Sequence, residues 1–210
     1  MVRRLLAPLW LVTALMVIPV RVAAFDAAED EETVGVGLPA PRFSAKTLNP
    51  EAAGMVWFRL DELAGDEPED PGAKVVLISF FASWCGPCQK ELPFLVQLDR
   101  MYRDRGLRVV SITIDRDEAG VEAARRQVAA AKAVHPVLWD RSTFIGQRYL
   151  GEASKLPSVF LIGRDGNVLT IERGYARDAP AFLLAEVQQA LGLKGAPGSS
   201  AVQPVSSKRP

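Results

Sequence analysis

Short apolar runs separated by polar, glycine- and proline-bearing stretches organise this chain, and their periods predict its elements. Val75-Val76-Leu77-Ile78-Ser79-Phe80-Phe81 is a β-branched and aromatic run of strand length. It is apolar on both faces, as a central strand covered by helices on each side should be. Gly86–Arg105 reads as a helix stopped by Gly106, and Leu107–Ile114 as a second buried strand. Asp117 is placed to cap a helix carrying Val121, Ala124, Val128 and Ala131 at helical spacing. A short strand at Pro136–Trp139 and a short helix at Thr143–Leu150 follow.

Ser158–Ile162 and Val168–Arg173 flank the turn cluster Gly163-Arg164-Asp165-Gly166-Asn167, which predicts an antiparallel hairpin. Asp178 then caps a helix with Ala179 and Pro180 in its first turn, Phe182, Val187 and Leu191 facing inward, and Gly192 at its end. Upstream, Pro39 and Pro41 mark an extended approach, Met55–Leu60 forms one arm of a small hairpin, and Asp66–Gly72 is a surface loop. The expected fold is α/β, with a mixed central sheet flanked by helices and the first long helix starting at a pair of cysteines.

Residues 1–24 read as an export signal. Arg3 and Arg4 supply the positive start, Leu5 to Val20 the apolar run, and Val22-Ala23-Ala24 the small residues of a cleavage site before Phe25. An uncleaved membrane anchor is the alternative. The run is shorter than the roughly 20 residues a spanning helix needs, and Pro19 would break its last turn. In either case the domain should face outside the cytoplasm, in a periplasmic or similar compartment. Residues 25–33 read as a disordered lead, 34–193 as the folded domain, and 194–210 as a patternless, disordered tail.

Composition narrows the function classes. The 210-residue chain has a formal net charge of zero, and without residues 1–24 it carries 22 basic against 25 acidic side chains. A mildly acidic domain lacks the basic excess that phosphate binding needs, so nucleic acid is not expected as the main partner. Only two cysteines occur, unlike a secreted module stapled by several disulfides. None precedes Cys85, so a lipid-modified N-terminal cysteine is not expected.

The candidate chemistry is Trp84-Cys85-Gly86-Pro87-Cys88, directly after the buried strand and at the start of a helix. Free backbone N–H groups and a partial positive charge at a helix N-terminus favour thiolate over thiol. Pro87 has no N–H to lose there and presets its backbone angle. Two intervening residues let the second sulfur reach the first, so a mixed disulfide can be resolved within the protein. Cys85, at the mouth of the helix, is the expected nucleophile, and Cys88, one turn in, the more buried resolving thiol. Other readings fit less well. A zinc site needs four ligands, and the one histidine, His135, is far off with no further cysteine. Covalent haem attachment needs histidine where Gln89 stands. A purely structural disulfide closing so short a loop constrains the unfolded chain little.

Val75–Pro93 (VVLISFFASWCGPCQKELP) resembles the thioredoxin superfamily, specifically the TlpA/ResA-like branch of exported disulfide reductases. The resemblance runs from about Gly37 to Leu193. It takes in Leu38-Pro39-Ala40-Pro41, the cysteine motif, Glu91 and Pro93, and Lys155-Leu156-Pro157-Ser158 before Val159-Phe160-Leu161-Ile162. It implies a thioredoxin-like fold with an N-terminal hairpin and a helix–strand insertion over about Glu118–Leu138.

By the same resemblance Pro157 is a cis-proline facing the cysteines, and backbone groups of Leu156 pair with an incoming extended substrate. Glu91 corresponds to a glutamate near the active site that tunes thiol pKa or handles protons; the alternative is a solvated helix residue. Ser79 stands where plain thioredoxin has a buried aspartate and cannot accept a proton, so that shuttle is absent or moved to Glu91. Trp84 should flank the site, partly exposed. Pro93 should kink the helix, while His135, Trp57 and Trp139 should be packing residues.

The function implied is reduction of client-protein disulfides, for example in cytochrome c or copper-site maturation. Electrons would come from a membrane thiol donor, and no cofactor is needed beyond the redox-active pair. The protein is expected to be a monomer. An oxidase or isomerase could use the same cysteines. A thiol peroxidase would want Thr or Ser three residues before its cysteine, where Ala82 stands.

Overall fold

The computed structural model describes residues 34–151 and 155–193. The expected signal, the lead and the tail lie outside the described residues. Among the described residues no helix is long and apolar enough to cross a membrane.

The first elements among the described residues are a small antiparallel pair, β1 (Ser44–Lys46) and β2 (Trp57–Arg59), joined through a single-turn helix α1 (Pro50–Ala53). The main elements then follow: β3 (Val75–Phe81), α2 (Gly86–Tyr102), β4 (Leu107–Thr113), α3 (Glu118–Ala130), β5 (Val137–Trp139), α4 (Phe144–Leu150), β6 (Ser158–Gly163), β7 (Val168–Arg173) and α5 (Ala179–Ala190). The five-stranded sheet has the order β5-β4-β3-β6-β7. β3 runs parallel to β4 and β4 to β5, whereas β6 is antiparallel to both β3 and β7. β3 is thus central and buried at every position, as its unbroken apolar run requires.

Because side chains alternate across a strand, β3 divides its residues between two layers. Val76, Ile78 and Phe80 pack with Phe43, Phe58, Tyr149 and Phe160 on one face. The rings of Phe80, Tyr149 and Phe160 lie 5.1–5.8 Å apart at tilted or edge-on angles, and the Tyr149 hydroxyl donates to the Pro41 carbonyl. Val75 and Leu77 face the other way, onto Leu95 and Leu98 of α2 and Leu183, Leu184 and Val187 of α5. Ser79 shares the parity of Val75 and Leu77, so it too points toward α2. Truncating a buried leucine such as Leu98 to alanine would cost about 2–5 kcal/mol.

Several expectations need correction. Helix α2 ends at Tyr102 and tightens into a 3-10 turn, Arg103–Arg105, before Gly106 (φ 111°) reverses the chain. Phe182 is 40% exposed; the inward face of α5 is set by Leu183, Leu184, Val187 and Leu191 instead. Asp178 precedes α5 but its side chain caps nothing. Trp57 is 55% exposed on β2, with Lys46 over its ring, and is not a core residue. Asp117, by contrast, caps α3 by accepting from the Gly120 N–H at 2.7 Å.

Candidate active site

The site forms where β3 passes into α2. Cys85 is the N-cap of that helix and Cys88 lies in its first turn, with Gly86 and Pro87 exposed between them. The two cysteines form a disulfide with Cα atoms 5.3 Å apart. The Cys88 backbone N–H donates to Cys85 Sγ at 3.2 Å, so one otherwise unpaired helix N–H already points at the first sulfur. A thiolate on Cys85 would sit at the positive end of the helix, the placement that lowers a cysteine's pKa. In the disulfide form Cys85 is only 6% exposed, so it is less open than its place at the helix mouth suggests; Cys88 is buried as expected. Both pack with Phe81, Ala82, Leu92 and Val96, and with Val121, Ala124 and Val128 of α3.

Trp84 stands 72% exposed beside this buried pair. The Leu156–Pro157 peptide is cis, Pro157 is buried, and Leu156 packs against the cluster that holds the cysteines. The loop before β6 therefore adjoins the cysteine helix. Pro93 sits inside α2, which continues through it.

Glu91 runs against ordinary burial rules for a carboxylate, being 5% exposed. Helical spacing puts it one turn beyond Cys88 on the same side of α2. Its carboxylate accepts from Ser79 Oγ at 2.9 Å. The strand parity that turns Ser79 toward α2 and the helix spacing that turns Glu91 toward β3 bring these two together. Burial pushes the Glu91 carboxyl up to about 7; the Ser79 hydrogen bond opposes this, and the charge of Glu172 adds to it. Glu91 in turn contributes, after burial, to raising the Tyr175 hydroxyl. The solvated-helix reading of Glu91 is ruled out by this burial.

His135 is fully buried away from this constellation, with Nε2 3.0 Å from Ser111 Oγ. Burial, aided by the charge of Arg103, lowers it to about 4, so it is a neutral packing residue. Trp139 is partly buried and donates its indole N–H to the Asp115 carbonyl. Among the described residues no group of His, Cys, Asp and Glu could hold a metal ion.

Sequence reasoning missed Asp115 and the contacts of Ser83. Asp115 is buried just after β4 and accepts from both the Ser83 backbone N–H and its hydroxyl, each at 2.8 Å. Nothing in the local pattern signals this, because the partners are 32 residues apart.

A central mixed sheet with a cysteine pair at the N-terminus of the helix after its middle strand defines a thioredoxin-like protein. Residues 68–192 match the Redoxin family, and the chain belongs to that family. Within it the chain is similar to the thiol-disulfide oxidoreductase ResA of Bacillus cereus, at 29% identity over 140 residues covering 67% of this chain and 70% of the relative. ResA of Geobacillus kaustophilus is 27% identical over 134 residues, 63% of this chain and 74% of the relative.

Among solved structures, a putative thiol:disulfide interchange protein DsbE from Chlorobium tepidum superposes with a TM-score of 0.62 at 27% identity. That match covers 76% of this chain and 100% of the other. A putative protein disulfide isomerase from Bacteroides thetaiotaomicron shares the fold, with a TM-score of 0.62 at 24% identity, covering 76% and 91%. The chain is a ResA/TlpA-like thiol–disulfide oxidoreductase, and its redox pair is Cys85 and Cys88.

Proposed function

We propose that this domain works outside the cytoplasm as a monomeric reductant of disulfides in client proteins, resupplied with electrons by a membrane thiol donor. The Cys85–Cys88 dithiol is its redox group. Apocytochromes c and copper-site proteins are the client types that the family resemblance suggests. The exported location rests on the character of residues 1–24.

The charge environment of the cysteine helix carries this reading. One helix N–H is directed at Cys85 Sγ, no basic residue lies between the cysteines, and a buried carboxyl sits one turn beyond Cys88. A strong oxidant needs its nucleophilic thiolate held by extra favourable interactions. Here Glu91, once ionised, opposes a second negative charge nearby.

The reaction then runs in two steps. Cys85 thiolate attacks one sulfur of the client disulfide, forming a mixed disulfide and releasing one client thiol. Cys88 loses its proton and attacks Cys85 Sγ, releasing the second client thiol and closing the Cys85–Cys88 disulfide. Two electrons pass to the client, and its two thiols take up the two protons of the dithiol. Glu91, neutral and ionised in comparable amounts near pH 7, is the group assigned to accept the Cys88 proton. Leu156 and Pro157 are assigned to the client's extended backbone, and Trp84 to its side chains.

Mixing the reduced protein with a disulfide-bonded peptide tests the roles. Cys88→Ser should stop at a mixed disulfide through Cys85, with half the client thiol released. Accumulation of that adduct in Cys85→Ser instead would reverse the assignment.

A further inference from the structure

Ser83 lies two residues before Cys85, and each of its hydrogen-bonding groups is held by a side chain from elsewhere. Its backbone N–H donates to Asp115 Oδ2 and its hydroxyl to Asp115 Oδ1, both at 2.8 Å. Its carbonyl accepts from Gln127 Nε2 of α3 at 2.8 Å and from Gln89 Nε2 of α2 at 3.1 Å.

Asp115 is itself fixed. It is buried, its Oδ2 also accepts from the Thr113 hydroxyl, and its carbonyl accepts the Trp139 indole N–H at 2.7 Å. Gly120 closes over it so tightly that a Cβ there would lie 2.8 Å from Asp115 Oδ1. Ser83 is partly buried and Asp115 fully so, and the four bonds tie the turn before Cys85 to both α2 and α3 as well as to the end of β4.

We propose that Asp115 is a positioning residue for the exchange reaction: by clamping Ser83 it holds the Cys85 sulfur in its attacking place once the disulfide has opened. The proposal rests on the exchange activity and not on its direction. In the oxidised protein the covalent link to Cys88 holds Cys85 in addition to the bonds of the turn, among them Cys85 N–H to the Ala82 carbonyl at 3.0 Å. In the dithiol that link is gone, and the Ser83 clamp becomes a main restraint on the turn. Misplacing a reacting atom by about an ångström can cost on the order of 10²-fold in rate. The clamp should therefore matter to the reduced form and to the rate far more than to the oxidised fold.

Asp115→Ala, Asp115→Asn and Ser83→Ala test this, each assayed for reduction of a disulfide-bonded peptide and for equilibrium with glutathione. Asp115→Ala should slow exchange by about tenfold or more. It should also shift the equilibrium about tenfold toward the disulfide, about 30 mV more negative. Asn offers a carbonyl oxygen to the Ser83 and Thr113 donors and an amide to the Ser83 oxygen, so it should restore both quantities to within about twofold. Ser83→Ala keeps the N–H bond and should fall between.

A purely structural role would weaken both redox forms alike and leave the glutathione equilibrium unmoved; that result overturns the proposal. So does a wild-type rate in Asp115→Ala, or an Asn variant as impaired as the Ala one, which would assign the effect to charge. If Asp115→Ala does not fold, Gly120→Ala, which displaces the carboxylate, is judged with Ser83→Ala. Both should be slower with the equilibrium shifted the same way, and wild-type values in both overturn the proposal.

Discussion

Replacing Glu91 by Gln should make the oxidised protein more stable at pH 8 relative to wild type, and leave the two nearly equal at pH 4.5. The native carboxyl titrates at about 7, against an ordinary 4.5, with burial as the main cause. Between those values the native state holds a proton that the unfolded chain has released, so stability falls as pH rises through the window. The stability contributed by the neutral carboxyl is complete below 4.5 and lost once pH passes 7. About 2.5 pH units at about 1.4 kcal/mol each amounts to roughly 3 kcal/mol. For a domain of this size that is on the order of 6–12 °C in melting temperature.

Gln keeps a carbonyl oxygen for the Ser79 hydroxyl, and any cost of burying its amide is the same at both pH values. The assay is thermal unfolding by circular dichroism of the disulfide form, in which neither cysteine titrates, from pH 4.5 to 8. His135 acts in the opposite sense over part of the range, so the wild-type profile alone is ambiguous and the variant-minus-wild-type difference is what must be read. A difference that does not change with pH would refute the burial argument for Glu91.

Three further outcomes follow from named contacts. His135→Gln should remove an acid-induced loss of stability of about 3 kcal/mol between pH 6.5 and 4. The buried imidazole has been lowered to about 4, and its contribution is present above 6.5 and lost as pH falls; an unchanged acid limb in urea titrations would contradict it. Asp140 accepts the Ile145 and Gly146 N–H groups at the start of α4, so Asp140→Ala should cost about 1–3 kcal/mol in urea unfolding. A loss below about 0.5 kcal/mol, within the range of an ordinary surface change, would contradict that capping role. Alkylation rates against pH in single-cysteine variants should place Cys85 below about 8.5 and Cys88 above it. A more reactive Cys88 at neutral pH would exchange their roles.

Much of this architecture was legible because it depends on local pattern. The run at Val75–Phe81, apolar but for Ser79, suits burial on both faces, and a cysteine pair closely after it, with Pro87 between, suits the start of a helix. On α5, Phe182, Leu183 and Leu184 are adjacent apolar residues, and periodicity alone does not choose which of them turns inward. Packing against Leu95 and Leu98 makes that choice. Glu91 looks like its solvated neighbours Gln89 and Lys90, and its burial follows only once α2 lies on β3 over Ser79. Asp115 was illegible for the same reason. It stands in an acid-rich stretch, and its role is set by a turn 32 residues earlier that the parallel pairing of β3 and β4 brings beside it.

The proposed reductive role is tested most directly by the reduction potential of the Cys85–Cys88 pair, measured by equilibrating the purified domain with glutathione buffers and counting its thiols. With Gly86 and Pro87 between the cysteines, a single helix N–H on Cys85 Sγ and an acidic Glu91 beyond Cys88, the value should lie at about −220 to −280 mV, near thioredoxin at about −270 mV. A value near about −120 mV, that of a strong oxidant, would contradict the account and make the domain a donor of disulfides.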